Sequence, residues 1–372
     1  MEERKIRVAI TQGDTNGTGF ELIFKAFEDP AMLELFIPII YGSPKIAVYH
    51  RKALGMDVSY SIISNVEDAK AGRLNLLACF DEEIKVELGQ SSPESARAAQ
   101  VSLEQAMADV SERKVDALVA VPAAVNDVLL KKPEALVIRT VDDLRVSLLT
   151  NGLALRNVAD AITKTRIVEK ATIFHQALRR DLRISAPRIA VLSLNPVVKG
   201  VDSLGAEERE EIIPAIDELS SNGIQAFGPY PADEFFGCGA YTKFDGVLAM
   251  YYDQGMAPFK SITNEEGILL VAGLPIVATI PAGSEDFNKA GKGTSDASSL
   301  RQAIYAAIDI SRNRVNYDEP LGNPLVKLYK EKRDDSEKVR FAVRAKDQFK
   351  KEDRPGFGQR REEHTKNPTT EE

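Results

Sequence analysis

Histidine is scarce in this 372-residue chain: there are three, His50, His175 and His364, and they come from distant parts of the sequence. None follows an expected strand end, where an α/β protein gathers its reactive groups, so neither an imidazole metal centre nor a histidine-based triad is expected. Cysteine is scarcer still, since Cys79 and Cys238 are the only two and neither belongs to a C-x-x-C pair. That argues against a disulfide framework or a thiolate zinc site and suits a reducing cytoplasm. No window approaches the roughly 18 apolar residues of a membrane span. The opening MEERKIRVAI lacks the apolar core and cleavage site of a secretory signal. Basic residues are not in excess either, 48 Lys and Arg against 56 Asp and Glu, for a net charge of -8. A broad nucleic-acid surface needs the opposite balance. The expectation is a cytoplasmic protein that binds neither nucleic acid nor membrane.

What the chain does have is an ordinary globular composition, 44% hydrophobic, and enough length for two domains with buried cores. Apolar, β-branched runs predict strands at 6–11, 36–42, 116–122, 144–150, 188–194, 246–252 and 274–280. Between them, apolar residues at three- and four-residue spacing predict helices at 95–112, 158–182, 205–223 and 297–314. Alternation of this kind is the pattern of βα units, and so the predicted class is α/β with a largely parallel sheet. From about Leu328 the composition turns to mixed charge with few apolar anchors, which predicts a disordered tail over 328–372 with at most a short helix at 339–349.

Chemistry is thin in the candidate loops. In TQGDTNGTGFEL, Gly13, Gly17 and Gly19 stand between a strand and a helix, where backbone N–H groups can face an anion, but the spacing is not G-x-G-x-x-G and no P-loop lysine follows. A plain structural loop, with Asp14 and Asn16 closing the turn, reads as well as a ligand cradle. Ser203, Ser284 and Ser295 have no base nearby in sequence, and no G-x-S-x-G elbow exists. In LAMYYDQGMAPFK an apolar run ends in Tyr251, Tyr252, Asp253, Gln254 and Gly255, with Lys260 beyond. Asp253 reads as a general base or a turn former, and Lys260 as an anion contact or a solvated charge.

Taken together, VAITQGDTNGTGFEL, RIAVLSLNP, GPYPADEFF, KFDGVLAMYYDQGMAPFK, AGLPIVATIPA and AGKGTSDASSLRQAI resemble the 4-hydroxythreonine-4-phosphate dehydrogenase (PdxA) family, in order, from about residue 5 to 315. The resemblance implies a homodimer of two-domain α/β subunits, isocitrate and isopropylmalate dehydrogenase-like, with the active site in the interdomain cleft. One domain is expected to combine 1–125 with 285–325, and the other, 126–284, to carry the cleft and dimerisation elements. It also implies oxidation of a phosphorylated 4-hydroxy amino acid with NAD(P), at a divalent metal held by three histidines. Gly13, Asp14, Asn195, Gly291 and Gly293 match the family at expected cofactor-binding positions; Asp253 and Lys260 are the expected catalytic ones.

Carried over position by position, the resemblance breaks at the metal. The family's three histidine positions hold Gly152, Val197 and Tyr252 here. Its A-P-I-N-K reads Val121, Pro122, Ala123, Ala124, Val125, its G-H-T-E has no counterpart in 127–143, an Asn and an Arg become Leu269 and Ala278, and its H-G-T-A reads Gly283, Ser284, Glu285, Asp286. Glycine and valine offer no donor and a neutral phenol is a poor one, so no bound divalent metal is expected. The resulting expectation is a pseudoenzyme, a family member without the metal-dependent reaction that binds a small ligand or serves a regulatory or structural role. The alternative is an active NAD(P)-dependent dehydrogenase or decarboxylase on a related substrate. Pairing with an intact paralogue is a third arrangement.

Overall fold

The structure is a computed structural model that describes residues 4–80, 84–123, 125–196, 205–263, 267–283 and 286–322. The strands are β1 (Arg7–Thr11), β2 (Ile37–Gly42), β3 (Tyr60–Ile63), β4 (Leu74–Ala78), β5 (Ala117–Val119), β6 (Leu136–Val141), β7 (Leu144–Leu148), β8 (Arg188–Leu192), β9 (Gln225–Tyr230), β10 (Gly246–Ala249), β11 (Ile268–Ala272) and β12 (Ala278–Pro281). The helices are α1 (Gly19–Ala26), α2 (Met32–Leu35), α3 (Pro44–Leu54), α4 (Pro93–Ser111), α5 (Val125–Val128), α6 (Val158–Ala161), α7 (Lys164–Arg180), α8 (Ile213–Ser221), α9 (Ala232–Gly237), α10 (Tyr252–Thr263) and α11 (Ser298–Gly322). All twelve strands join one sheet in the order β3-β4-β2-β1-β5-β12-β11-β6-β7-β10-β8-β9. Among the described residues no helix is long and apolar enough to cross a membrane.

The protein is therefore α/β, and its sheet is mostly parallel. Three antiparallel ladders, β12 with β11, β11 with β6 and β6 with β7, interrupt it near the middle. Strands beyond that interruption run parallel to one another but opposite to β1 and β5. Helices on both faces bury the central strands, so these read as unbroken apolar runs rather than alternations. Val8 and Ile10 of β1 pack to one side with Phe20 and Phe24 of α1, while Ala9 faces Leu103 of α4 and Leu118 on the other. Each such fully buried large side chain stabilises the fold by roughly 1.5–3 kcal/mol.

Local chemistry sets the element ends, and in several places it shifts them from the sequence reading. α4 begins where Ser92 and Ser95 cap each other, Ser95 N donating to Ser92 Oγ at 3.1 Å and Ser92 N to Ser95 Oγ at 2.8 Å, with Pro93 next. The helix expected over 158–182 is two, because Ile162 and Thr163 are extended and Thr163 Oγ1 takes the Arg166 N–H at 3.3 Å to start α7 afresh. The strand expected at 274–280 starts only at Ala278. Upstream of it, the carbonyl of Ile276 accepts Arg314 Nη1 at 2.9 Å rather than a full ladder. Arg314 is itself buried against Asp181, Nε to Oδ1 at 2.7 Å and Nη2 to Oδ2 at 2.8 Å, which ties α11 to the end of α7. The strand expected at 246–252 stops at Ala249, and Tyr252 opens α10. The predicted tail over 328–372 lies outside the described residues.

Candidate active site

β1 has β2 on one side and β5 on the other, so successive chain connections leave it in opposite directions across the sheet. In parallel α/β sheets a crevice opens at such a divergence, beyond the carboxyl ends of the strands, and ligands bind there. A cavity of about 510 Å³ lies at this place. Thr18 reaches it from the loop after β1, Val121 and Pro122 from beyond β5, Pro281 and Gly283 from β12, and Ser295 and Ser298 from the start of α11.

The loop between β1 and α1 reaches the cavity through Thr18, and Asp14 and Asn16 behind it are spent on the fold, whereas Gln12 Nε2 and Thr15 Oγ1 are buried without a hydrogen-bond partner. Asp14 is buried; its Oδ1 accepts Asn16 N at 2.8 Å, and its Oδ2 accepts Ser91 Oγ at 2.7 Å and Ser95 Oγ at 3.0 Å. Asn16 in turn accepts Glu87 N at 2.9 Å and donates to Gln90 O at 2.8 Å. A side chain at position 19 would bring Cβ to 1.9 Å from the carbonyl oxygen of Gln12, so only glycine lets the chain pass. His50 of α3 closes the loop from outside, Nε2 lying 2.8 Å from Thr15 O. Burial holds its pKa below the ordinary 6.5, against the opposing pull of that bond and of Glu21. His50 is thus a neutral packing residue, and His175 on α7 is likewise lowered, by burial first and Arg179 second.

The segment with Gly291 and Gly293 is bolted to α1. Lys25 Nζ donates to the carbonyls of Gly293 at 2.8 Å and Ser295 at 2.7 Å, while Ser295 N donates to Glu21 Oε1 at 2.7 Å. Gly291 and Gly293 both adopt positive φ, 74° and 69°, between the cavity-lining Lys289 and Ser295. None of the expected cofactor residues Gly13, Asp14, Gly291 and Gly293 lines the cavity itself. Volume and position fit a small polar ligand. The lining was not legible beforehand because Thr18, Pro122, Pro281 and Ser298 are ordinary loop residues brought together only by strand order; the Asp296-x-Ser298 pair before a periodic helix was the one local cue.

The other expected residues collect elsewhere. Along the ladder of β6 with β7, Ile138 faces Ser147 and Val141 faces Leu144, so the end of β7 that leads to Gly152 is opposite the end nearest the cavity. There Thr150 N and Oγ1 donate to Met250 O at 3.1 and 2.7 Å, bringing the β7 and β10 ends together. Gln254 joins them to β8, its Oε1 accepting Met250 N at 2.8 Å and its Nε2 donating to Ser193 O at 2.6 Å. Asn195 donates to Glu208 Oε2 at 2.7 Å, and the fully buried Glu208 accepts the backbone N–H groups of Leu194 at 2.8 Å and Asn195 at 2.9 Å through Oε1. Asp253 and Lys260 are exposed on α10. The cavity lining contains none of Gly152, Asn195, Tyr252, Asp253 and Lys260.

At this second edge the three positions that the family resemblance assigns to metal do not suit a divalent ion. Gly152 has no side chain and a φ of 70°, and Tyr252 projects a phenol that is 45% exposed. Val197 lies outside the described residues. Among the described residues no group of three or more His, Cys, Asp or Glu side chains could hold a metal. The donor set present does not fit a three-histidine centre.

Comparison with known proteins brings these edges into one context. The model of a family described as pyridoxal phosphate biosynthetic protein PdxA matches residues 124–307. A 4-hydroxythreonine-4-phosphate dehydrogenase from Bacteroides thetaiotaomicron is 47% identical over 360 residues, which is 92% of this chain and 98% of that protein. One from a Sulfurihydrogenibium species is 32% identical over 326 residues, 83% of this chain and 99% of that protein. The crystal structure of the Klebsiella pneumoniae 4-hydroxythreonine-4-phosphate dehydrogenase superposes with a TM-score of 0.72 at 23% identity, over 84% of this chain and 99% of that one, a likeness of fold.

Proposed function

The chain belongs to the PdxA family, and from that premise we propose that it is an NAD(P)-linked oxidoreductase of the pyridoxal phosphate biosynthesis type, acting on a phosphorylated hydroxy amino acid or a near relative. The observation that carries this reading is the 47% identity, sustained over 92% of the chain, to a protein named for that dehydrogenation. The polar cavity at the divergence of β1 supports its nucleotide half. Oxidising the alcohol sends a hydride to the nicotinamide ring and leaves a hydroxyl proton to be taken up. Asp253 and Lys260, exposed seven positions apart on α10, share one helix face and are the groups in this chain proposed to receive that proton and to meet the substrate's anion. The cavity and the start of α10 lie at opposite ends of the strands, which supports a homodimer in which such ends from two copies meet, or a heterodimer with an intact paralogue.

A second reading is favoured by the chemistry of positions 152 and 252. A glycine and an exposed phenol where the family resemblance expects imidazoles support a member that keeps the fold and a small-ligand site without the metal-dependent oxidation, in a regulatory or structural role. One experiment separates the two. The full chain is incubated with 4-phosphohydroxythreonine and NAD or NADP, with and without zinc, magnesium or manganese, and reduced dinucleotide is followed alongside thermal stability. Turnover supports the oxidoreductase. Stabilisation by ligand without turnover supports the binding role, because a ligand of the native state raises its apparent stability. The absence of both would sink both readings.

A further inference from the structure

The two faces of the sheet are packed differently where its direction reverses. On one face a single core runs across the reversal, since Val8 of β1, Ile138 of β6, Val191 of β8 and Leu248 of β10 belong to one buried cluster. α11 and α7 lie against each other on that face. Thr279 Oγ1 of β12 donates to Ala303 O of α11 at 2.8 Å, and the ring of Phe174 of α7 packs on Gly246 of β10. On the other face the core is divided, among the described residues, into two clusters. One joins Ala9, Leu118 and Val271 to Leu103 of α4; the other joins Val146 and Val247 to Met256 and Phe259 of α10. A cross-strand row explains the division: Leu269 of β11 faces Arg139 of β6, and Arg139 faces Val146 of β7. Arg139 and Val137, which share that face of β6, are half-buried and join neither cluster. Closing an apolar core over this row would take a guanidinium out of water.

The continuous face is also pinned. Arg314 of α11 is buried and uses all three guanidinium nitrogens, Nε and Nη2 on the Asp181 carboxylate after α7 and Nη1 on Ile276 O in the link from β11 to β12. Asn313 Nδ2 donates to Asp181 O at 2.8 Å, and Arg180 pairs with Asp318. Separating Arg314 from Asp181 would strand charge away from water, so this junction keeps its geometry while weaker packing yields.

We propose that the sheet flexes along the β11–β6 seam as a one-sided hinge with the Arg314–Asp181 pair as its pivot: the face carrying α7 and α11 stays closed, while α4 and α10 move apart and together over Arg139. Bending about an axis parallel to the strands keeps the ladder of β11 with β6, so packing changes only where the core is already divided. The cavity lined from β12 and α11 rides on one part and α10 on the other. The test is pulsed electron resonance on the spin-labelled full chain, with Cys79→Ala and Cys238→Ser as background. Exposed positions carry the labels: Ala108→Cys with Ser261→Cys across the divided face, Gln176→Cys with Asp309→Cys across the continuous one, and Lys52→Cys with Ala108→Cys within one part. The first distance distribution should be at least about twofold broader than the third, and the second no broader than the third. Arg314→Met combined with Asp181→Leu removes the pair without stranding a charge and should broaden the second distribution. Equal widths for the first and third pairs, or a second pair as broad as the first, overturns the hinge, and both comparisons are made with the native pair in place, so they decide the matter even where the double variant does not fold. A folded double variant whose second distribution is unchanged overturns Arg314 as the pivot.

Discussion

The loop after β1 and the first turn of α10 answer the same question in opposite ways. Both lie beyond the carboxyl ends of strands, and both preserve sequence that resembles the PdxA family. At the first, Asp14 and Asn16 are buried and their polar atoms are engaged inside the fold. At the second, Tyr252, Asp253 and Lys260 are exposed, while their neighbour Gln254 is tied to two strand ends. The difference teaches that likeness in a motif can report folding and chemistry separately. Asp14, Asn195 and Gln254 each hold a loop in place, so replacing them leaves buried groups unpaired. Gly152 has no side chain and the Tyr252 phenol is 45% exposed, so a change at either costs the fold less.

That contrast can be broken by substitution, and the largest effect is expected where the backbone is most crowded. Gly19→Ala places a carbon where Gln12 O already stands and should cost about 3 kcal/mol or more, read by urea denaturation. A loss under about 1 kcal/mol would show that the loop gives way freely. Glu208→Ala removes the acceptor of two backbone N–H groups and of Asn195, and should cost roughly 3 kcal/mol. A near-neutral result there would make the Asn195 turn a poor example of a fold-selected motif.

Acid sharpens the comparison from the first side. His50 has a lowered pKa in the folded chain, so below its ordinary value of 6.5 the unfolded chain binds the proton more readily. Its contribution is present above about pH 6.5 and is lost as pH falls through that value towards the lower folded pKa. The thermal midpoint should begin to drop in this window, before the carboxylates titrate, and His50→Gln should flatten the drop. An unchanged slope in that variant would remove His50 from the account. The smallest effect belongs to Gly152→His, at a φ of 70° with no atom within 4 Å of the new Cβ, and it should cost only about 1–2 kcal/mol for the left-handed backbone. A larger loss on denaturation would show that position 152 does support the fold.

Sequence alone carried the α/β class because runs such as Val8 to Ile10 and Ile39 to Tyr41 are apolar on both faces, which demands helices above and below. It did not carry β4, whose short run is broken by Asn75; that residue is buried and donates to Pro38 O at 3.0 Å, so its polarity is internal. β9 was hidden by Gly228 and Pro229, which usually mark turns, and β11 by its five residues set closely between Gly267 and Gly273. The reversal of direction at β11 and β6 left no local trace, since antiparallel partners are chosen by tertiary packing. For the site, the loops were legible as places where strands end. Which loops share a cavity was not, because that depends on strand order, and Asp253 read equally as a turn former and Lys260 as a solvated charge.

Gln254 has a consequence for engineering. By clamping the start of α10 to the ends of β8 and β10, it has already removed the backbone freedom that a newly installed ligand atom at position 252 would otherwise forfeit on coordination. A nitrogen donor grafted there would arrive on a stiff mount rather than a loose one.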